Sequence, residues 1–298
     1  MATVLRYKRR LIQLLAALLY NLNLGGFATG SIYQGSLKGV CVPGLNCYSC
    51  PGAVGACPIG SLQAALVASG QRLPFYVVGT ILAFGALLGR TVCGWLCPFG
   101  LIQDLLDRLP LPKLKKGAWS RALSWGKYLV LAGLVVIAPP VLLAATGVGT
   151  PAFCAWLCPA GTLEAGLPLI AANSGLQRML GPLFSWKTAV LVALVVAALF
   201  IYRPFCRFLC PLGALYSFFN RFALLRYRVD EARCTGCGVC RAICKADIQK
   251  VSDRECIQCG NCVSSCEAQA ICFTFRLKGQ TDKEAHELTE KRRLFERL

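Results

Sequence analysis

Two runs of cysteines near the C-terminus share one spacing, C-x2-C-x2-C-x3-C. The first run comprises Cys234, Cys237, Cys240 and Cys244, and the second comprises Cys256, Cys259, Cys262 and Cys266. This spacing is typical of bacterial ferredoxins with two [4Fe–4S] clusters, in which the fourth cysteine of each run binds the other cluster. We therefore predict one cluster on Cys234, Cys237, Cys240 and Cys266, and a second on Cys256, Cys259, Cys262 and Cys244.

Zinc is the alternative metal, because C-x2-C pairs also build tetrahedral zinc sites. A zinc site needs four ligands, however, and explains neither the third cysteine of each run nor the fourth. The residue after the fourth cysteine is usually proline in such ferredoxins, and here it is Lys245 or Glu267. This departure affects the turn and leaves every predicted ligand in place.

Most of the other cysteines belong to a fourfold repeat, Cys-Pro-x-Gly-x-apolar. Its copies begin at Cys57, Cys97, Cys158 and Cys210. Three copies have a second cysteine four residues earlier, at Cys93, Cys154 and Cys206, whereas the first copy has Cys47 and Cys50 upstream and Cys41 further back. Internal repetition indicates a repeated structural unit. Because proline at the start of a helix loses no hydrogen bond, we predict that each Cys-Pro opens a short interfacial helix. The glycine would let that helix lie close to a neighbour or a cofactor.

The elements that position these cysteines are predicted to be membrane helices. Hydrophobic residues make up 56% of the chain and charged residues only 15%. Four apolar stretches, at about 11–27, 73–89, 128–145 and 186–202, each approach the lower limit of ~17–25 residues for a membrane span. The first stretch follows basic residues and resembles a signal peptide, but no clear cleavage site follows, so we interpret it as a retained helix.

The distribution of basic residues predicts the orientation of these spans. Lys and Arg number four in residues 1–10, two in 28–72, seven in 90–127, two in 146–187 and six in 203–233. By the positive-inside rule, this alternation places both termini and the ferredoxin motif in the cytoplasm. That compartment is reducing and keeps thiolates available to iron. The net charge of +18 lies mostly in these loops, so we expect lipid and not nucleic acid as its partner.

Topology and repeat together sort the cysteines into two further candidate sites. The inner site would use Cys93, Cys97, Cys206 and Cys210. The outer site would draw four ligands from Cys47, Cys50, Cys57, Cys154 and Cys158, with Cys41 the weakest candidate. Two cysteines four apart on a helix share a face, so two pairs can converge on one metal site. Two alternatives stay open, namely buried cysteines that only pack helices and disulfide chemistry on the outer face, above all at Cys47 and Cys50.

Several redox centres are disfavoured by residue types that are missing from the spans. The single histidine is His286, in the C-terminal tail, and the methionines are Met1 and Met179, so axial haem ligands are lacking. Carboxylates are almost missing from the apolar stretches, which argues against a proton relay. No Gly-rich nucleotide fingerprint follows a strand. Further centres would therefore use cysteine, or a bound quinone or flavin.

The predicted fold class is an α-helical membrane protein with about four transmembrane helices, Cys-Pro interfacial segments and a small α+β two-cluster ferredoxin domain. Residues 1–225 would form the membrane domain, 226–280 the ferredoxin domain and 281–298 a charged helical tail. Residues 270–273 resemble the closing strand of a ferredoxin, in which Cys272 would only pack.

These motifs resemble those of the membrane polyferredoxins, which include the NapH-type quinol dehydrogenase subunit and the C-terminal half of NosR-type proteins. The likeness is carried by the double ferredoxin motif together with Cys93-Gly-Trp-Leu-Cys97-Pro and Cys206-Arg-Phe-Leu-Cys210-Pro, and it covers nearly the whole chain. It implies electron transfer between a cytoplasmic donor or quinone pool and a partner at the outer face. The additional cysteines at 41, 47, 50, 57, 154 and 158 depart from the NapH pattern and favour a conduit through the membrane.

The leading hypothesis is thus an iron–sulfur electron-transfer protein of a bacterial or archaeal cell membrane. It would hold two [4Fe–4S] clusters, with one or two more at the Cys-Pro motifs, and would meet redox partner proteins on one or both faces. A quinol dehydrogenase subunit that feeds a partner reductase is one alternative. A thiol–disulfide conduit and a redox sensor or assembly factor are the others.

Overall fold

The computed structural model describes residues 2–68, 74–114 and 116–275. The helices within them are Ala2–Tyr20, Gly25–Thr29, Ser36–Gly39, Pro58–Val67, Phe75–Leu88, Thr91–Trp95, Pro98–Leu106, Ala118–Thr146, Ala152–Trp156, Gly161–Ala172, Ser174–Arg178, Pro182–Phe200, Pro204–Phe208, Pro211–Phe219, Val239–Ala242 and Asn261–Ser264. Two strands, Leu225–Val229 and Ile271–Phe275, pair antiparallel. The predicted tail at 281–298, with His286, lies outside the described residues.

Two helices in the described part are long and apolar enough to cross a membrane, Ala118–Thr146 and Pro182–Phe200. Ala118–Thr146 contains the third predicted span, and Pro182–Phe200 contains all but the last two residues of the fourth. Only 17% and 11% of their most apolar stretches are buried, whereas the central helix of a soluble protein would be mostly covered. Both helices therefore present apolar surface outward, as a helix in contact with lipid does.

The first two predicted spans form shorter apolar segments. Helix Ala2–Tyr20 includes the basic residues 6–10, so its apolar part is confined to 11–20. Helix Phe75–Leu88 has 14 residues and ends at Gly89, whose φ of 51° departs from the helix. Fourteen residues rise roughly 21 Å, less than the ~30 Å of a bilayer core. Four spans of full length are therefore not confirmed.

The Cys-x3-Cys-Pro segments fold alike in all three copies. The first cysteine is the central residue of a five-residue helix, in Thr91–Trp95, Ala152–Trp156 and Pro204–Phe208. A leucine with φ between −120° and −126° ends each helix, at Leu96, Leu157 and Leu209. The chain then turns into the helix that the proline opens. The repeat detected in the sequence is thus a repeated structural unit.

The prediction that Cys-Pro opens a short helix is confirmed, but the two cysteines of a pair do not share one continuous helix. Cys57, Cys97 and Cys210 are extended residues at N-cap positions, and proline occupies the first turn after each. Proline disfavours helical backbone at the residue before it, so the second cysteine of a pair is forced out of the preceding helix. The face-sharing argument was therefore wrong, and the pairs converge by this turn instead.

The core of the helical domain is built from equivalent positions of the repeat. The residue between Pro and Gly is buried in every copy, as Ile59, Phe99, Ala160 and Leu212. The residue before the first cysteine is buried too, as Val92, Phe153 and Phe205. The Phe99 and Phe205 rings meet edge to face at 5.2 Å. Burial of these side chains holds the cysteine turns against one another.

The C-terminal module is an internal repeat with the same backbone in both halves. Three residues in the first half and the equivalent three in the second half have positive φ. The equivalent pairs are Gly236 and Gln258, Gly238 and Gly260, and Asp247 and Gln269. Left-handed backbone is uncommon outside glycine, so positive φ at three equivalent positions indicates that both cysteine runs have the same backbone conformation there. The strands pair Tyr227 with Phe273 and Val229 with Ile271, and this ribbon closes the module.

Candidate iron–sulfur centres

The second predicted ferredoxin cluster has a cavity bounded by its four predicted ligands. Cys244, Cys256, Cys259 and Cys262 line this cavity together with Tyr227, Ala246, Ile248 and Ile257. Cys244 comes from the first run and the other three from the second, which is the crossing pattern of two-cluster ferredoxins. A donor set of four thiols in an apolar cavity fits a [4Fe–4S] cluster.

The first predicted cluster has a more open setting. Cys234 and Cys237 are exposed on the loop before helix Val239–Ala242. Cys240 and Cys266 are half-buried, and both pack against the small core of Tyr227, Cys262 and Ile271. The first predicted ligand set is therefore the more exposed of the two.

The four cysteines of the inner site converge in the core of the helical domain. Cys93, Cys97, Cys206 and Cys210 are all buried. The Cys210 thiol lies within electrostatic reach of the other three, and the Cys97 thiol within reach of Cys93 and Cys206. Gln103 Nε2 donates to Cys206 Sγ at 3.0 Å. We refer to these four residues as the inner quartet.

Cationic side chains surround the inner quartet and hold its backbone. Arg203 Nη1 donates to the Cys93 carbonyl at 2.6 Å, and Arg90 Nη2 donates to the Cys206 carbonyl at 3.2 Å. Arg203 is paired with Asp104 at 2.5 Å. Arg90 and Lys127 both pair with Glu255 of the ferredoxin module, at 2.9 and 2.5 Å. Burial alone would raise the pKa of the Glu255 carboxyl, but these two cations hold that pKa below its usual value.

Four of the outer cysteines also converge. Cys47, Cys57 and Cys154 are mutual electrostatic neighbours, and Cys158 lies within reach of all three. Cys50 neighbours only Cys47 among the cysteines and hydrogen-bonds Asn21 Oδ1 at 3.6 Å. We refer to Cys47, Cys57, Cys154 and Cys158 as the outer quartet.

Cys41, the weakest candidate in the sequence, stands apart from the outer quartet. Its backbone forms an isolated bridge with Ala56, and its amide donates to the Tyr76 hydroxyl at 3.2 Å. Cys41 therefore helps to fix the loop before Cys57 and does not face the other thiols.

The glycine of each repeat has a direct role at its cysteine. The Gly213 amide donates to the Cys210 thiol at 3.4 Å, and the amides of Gly60, Gly100 and Gly161 lie near the thiols of Cys57, Cys97 and Cys158, respectively. The Cys210 thiol is thus the N-cap acceptor of the helix that follows, and the positive end of a helix favours a thiolate. In the outer quartet, a Cβ added at Gly161 would lie 3.7 Å from Cys47 Sγ. The motif therefore combines anion stabilisation with close packing around the sulfurs.

One residue at the outer quartet was missed by the sequence analysis. Glu164 is buried in helix Gly161–Ala172, and its Oε2 accepts a hydrogen bond of 2.8 Å from the Cys47 amide. Burial raises the pKa of this carboxyl to about 7. Its signal in the sequence was a lone acidic residue within an apolar stretch, a feature that usually marks function in a membrane domain. Lys187 provides an opposite charge, and its Nζ donates to the Cys154 carbonyl at 3.2 Å.

The spacing within these sites bears on the choice between zinc and iron–sulfur. Within the described residues, no three His, Cys, Asp or Glu side chains are grouped closely enough to hold a single metal ion. Zinc binds thiolates at ~2.3 Å in a tight tetrahedron, whereas a cube spreads its four thiolates over four iron atoms. Each quartet has the four thiols that one such cube requires.

The ferredoxin module docks directly onto the inner quartet. Trp95, between the two cysteines of the second repeat, donates through Nε1 to the Gln258 carbonyl at 2.7 Å. Gly94 touches the Ile257 carbonyl so closely that any Cβ there would clash with it. Gln258 and Ile257 lie between Cys256 and Cys259. Two ligand loops, one from each domain, are therefore in contact.

The inner and outer quartets are also close to one another. A Cβ at Gly44 would lie 3.2 Å from the Cys97 Cα, and the Leu45 amide lies near the Cys97 thiol. Tyr216 donates to the Pro43 carbonyl at 2.9 Å and lies within electrostatic reach of Cys57, Cys93 and Cys97. The sequence analysis placed the two sites at opposite membrane faces, whereas segment 43–47 joins them. The reason is that the Cys-Pro helices are short: the nine residues of Pro98–Leu106 rise roughly 14 Å.

Comparison with known proteins supports an iron–sulfur role for the Cys-Pro segments themselves. A family model described as a 4Fe-4S binding domain matches residues 73–117, 131–170 and 183–229. Each match contains one Cys-x3-Cys-Pro pair, and the double ferredoxin motif lies outside all three. No solved structure matches the chain.

Curated relatives point the same way. The regulatory protein NosR of Pseudomonas aeruginosa is 30% identical over 57% of this chain, and the putative electron transport protein YccM of Escherichia coli is 30% identical over 54%. The methylamine utilization ferredoxin-type protein MauN of Methylobacillus flagellatus is 27% identical over 56%. The matches span 22%, 43% and 53% of the lengths of these relatives. The domain matches and these relatives make the chain similar to 4Fe-4S, ferredoxin-type electron-transport proteins.

Proposed function

We propose that the chain is a membrane-bound electron conduit with four [4Fe–4S] clusters in series. Two would lie in the ferredoxin module, the third would be held by the inner quartet and the fourth by the outer quartet. Each cluster supplies one-electron transfer when bound. The observation that carries the proposal is the pair of contacts that link neighbouring ligand loops, the Trp95 indole with the Gln258 carbonyl and the Gly44 backbone with the Cys97 backbone.

The order of the centres follows from their exposure and contacts. Electrons would enter at the exposed loop of Cys234 and Cys237 and pass to the set that includes Cys256 and Cys259. The inner quartet would receive them across the Trp95–Gln258 contact. The outer quartet would receive them across segment 43–47 and deliver them to a partner protein.

The orientation belongs to the proposal as well. We propose that Ala118–Thr146 and Pro182–Phe200 cross the membrane and that Ala2–Tyr20 and Phe75–Leu88 complete a four-helix, multi-pass domain. The alternation of Lys and Arg along the loops supports a cytoplasmic ferredoxin module and cytoplasmic termini. Residues 1–225 would then form the membrane domain, and 226–280 the ferredoxin domain.

The proposal is tested with full-length protein in sealed liposomes that contain trapped ferricyanide. A membrane-impermeant reductant is added outside, and ferricyanide bleaching is followed with and without added quinone. We expect bleaching without quinone in the native protein and none in Cys97→Ser, which lacks an inner ligand. Bleaching that requires quinone would instead support the quinol dehydrogenase. Loss of bleaching in Cys50→Ser, with trapping of a mixed disulfide at this residue, would support the thiol–disulfide conduit.

A further inference from the structure

A polar cavity of about 190 Å³ lies where helix Ala2–Tyr20, helix Pro98–Leu106 and the ferredoxin module meet. Its volume is several times the ~30 Å³ that one water occupies in the liquid. The charged side chains that line it are those of Arg9, Arg10, Arg108, Lys245, Asp104 and Asp107. The cavity is separate from the cysteine quartets, and the proposed electron conduit makes no use of it.

Arg9 is a buried side chain of this cavity. Its side chain is 4% exposed, and its Nη2 donates to Asp104 Oδ2 at 2.8 Å. Its Nε and Nη1 atoms are buried and donate to no atom of the described residues. Leaving charged donors unmatched is costly, and a guanidinium with free donors suits two oxygens of one anion. The unmatched donors therefore point to an oxyanion ligand.

The charge balance favours an anion. The lining carries four cations against two carboxylates. Each carboxylate is already compensated by a cation outside the lining, since Asp104 pairs with Arg203 and Asp107 pairs with Lys113 at 3.4 Å. Asp107 pairs with Lys245 of the lining as well, so the surroundings of the cavity keep a net positive charge beside the unused donors of Arg9.

The surroundings indicate where such an anion would come from. Immediately after Arg9 and Arg10, helix Ala2–Tyr20 presents a row of outward-facing leucines, Leu11, Leu14, Leu15, Leu18 and Leu19, which are 44–61% exposed. Apolar surface beside a basic cluster is the arrangement that binds acyl chains and anionic headgroups together.

We propose that this cavity binds a phosphate group, with Arg9 and Arg108 as its principal ligands. The source that the leucine row favours is the phosphodiester of an anionic lipid, and free phosphate shares the same chemistry. The site would tie the N-terminal helix and the ferredoxin module to the membrane surface.

The test uses the full-length protein in a non-ionic detergent. Native mass spectrometry counts retained phosphatidylglycerol and phosphatidylcholine, and calorimetric titration measures inorganic phosphate. Arg108→Gln is the main variant because this side chain is exposed, and Arg9→Gln is the second. Arg121→Gln is the matched control, since Arg121 is an exposed cation of helix Ala118–Thr146 and lies outside the cavity. Iron content reports folding in every variant.

We expect phosphatidylglycerol to be retained over phosphatidylcholine, and Arg108→Gln to weaken its binding about tenfold by loss of one charge-assisted hydrogen bond. Arg121→Gln should change it less than about twofold. Binding of phosphatidylglycerol alone identifies a lipid source, and binding of inorganic phosphate alone identifies free phosphate. If neither binds, or if the Arg108 and Arg121 variants lose binding equally with iron intact, the proposal is overturned.

Discussion

The inner and outer quartets are built on the same backbone unit but have different electrostatic surroundings. In both, a Cys-Pro turn precedes a short helix and places the thiol near the amide of the repeat glycine, as at Cys97 and Cys158. The inner quartet is held by Arg90, Arg203 and Lys127. The outer quartet has Lys187 and the buried Glu164 instead.

This difference shows that the ligand geometry and the electrostatic surroundings of a quartet are set by different residues. The repeat supplies the ligands and their geometry, so it recurs almost unchanged. The charges around each quartet are not part of the repeat, and net charge and hydrogen bonding to the sulfurs set the potential of an iron–sulfur cluster. Cations stabilise the more negative reduced state, so we expect the inner centre to have the higher potential.

The largest effect is expected from ligand removal in the outer quartet. Cys154→Ser should lose about four iron atoms per chain, the content of one cluster, because it removes one of only four convergent thiols. Cys50→Ser is the matched control and should keep its iron, since Cys50 stands beside the quartet. Iron analysis of anaerobically purified protein measures both. Equal losses in the two variants would show that Cys50 is a ligand.

The next largest effect concerns the buried charges behind the inner quartet. Asp104→Asn leaves Arg203 and Arg9 buried without their carboxylate, and loss of one partner of a buried pair costs about 3–5 kcal/mol of unfolding free energy. Glu231→Gln, at an exposed carboxylate, should stay within about 0.5 kcal/mol. Thermal unfolding in detergent compares them. A stable Asp104→Asn protein would show that solvent or another group already compensates these arginines.

A smaller effect tests the electrostatic difference itself. At pH 8, Glu164→Gln removes a negative charge and should raise the potential of the outer centre, whereas Lys187→Gln removes a positive charge and should lower it. Shifts of tens of millivolts are expected, since ~59 mV is a tenfold change for one electron. EPR-monitored redox titration gives both values. Shifts of the same sign in the two variants would contradict an electrostatic origin.

The smallest effect lies at the junction of the quartets. Tyr216→Phe loses the hydrogen bond from the hydroxyl to the Pro43 carbonyl, which is worth about 0.5–1.5 kcal/mol. Tyr7→Phe, at a residue that is 68% exposed, should be neutral within about 0.5 kcal/mol. Thermal unfolding measures the stability of both variants. If the stability of Tyr216→Phe is unchanged, segment 43–47 is held by other contacts.

The grouping of the candidate ligands was the most predictable part of the molecule, because cluster ligation demands one residue type at fixed spacing. The convergence of Cys93, Cys97, Cys206 and Cys210 followed from the repeat. The turn between paired cysteines was inferred wrongly, since the effect of proline on the preceding residue outweighs helical spacing. The closeness of the two quartets depends on the lengths of several helices, and Glu164 is recognised only once the fold brings it to Cys47. Neither is encoded in a local pattern.

The central claim is that the Cys-Pro quartets hold clusters in addition to those of the ferredoxin module. Its most direct test is the iron and acid-labile sulfide content of the full-length protein, purified anaerobically. Four clusters predict about sixteen iron and sixteen sulfide per chain. A content of about eight of each, with the inner and outer quartets titrating as free thiols, would contradict the account.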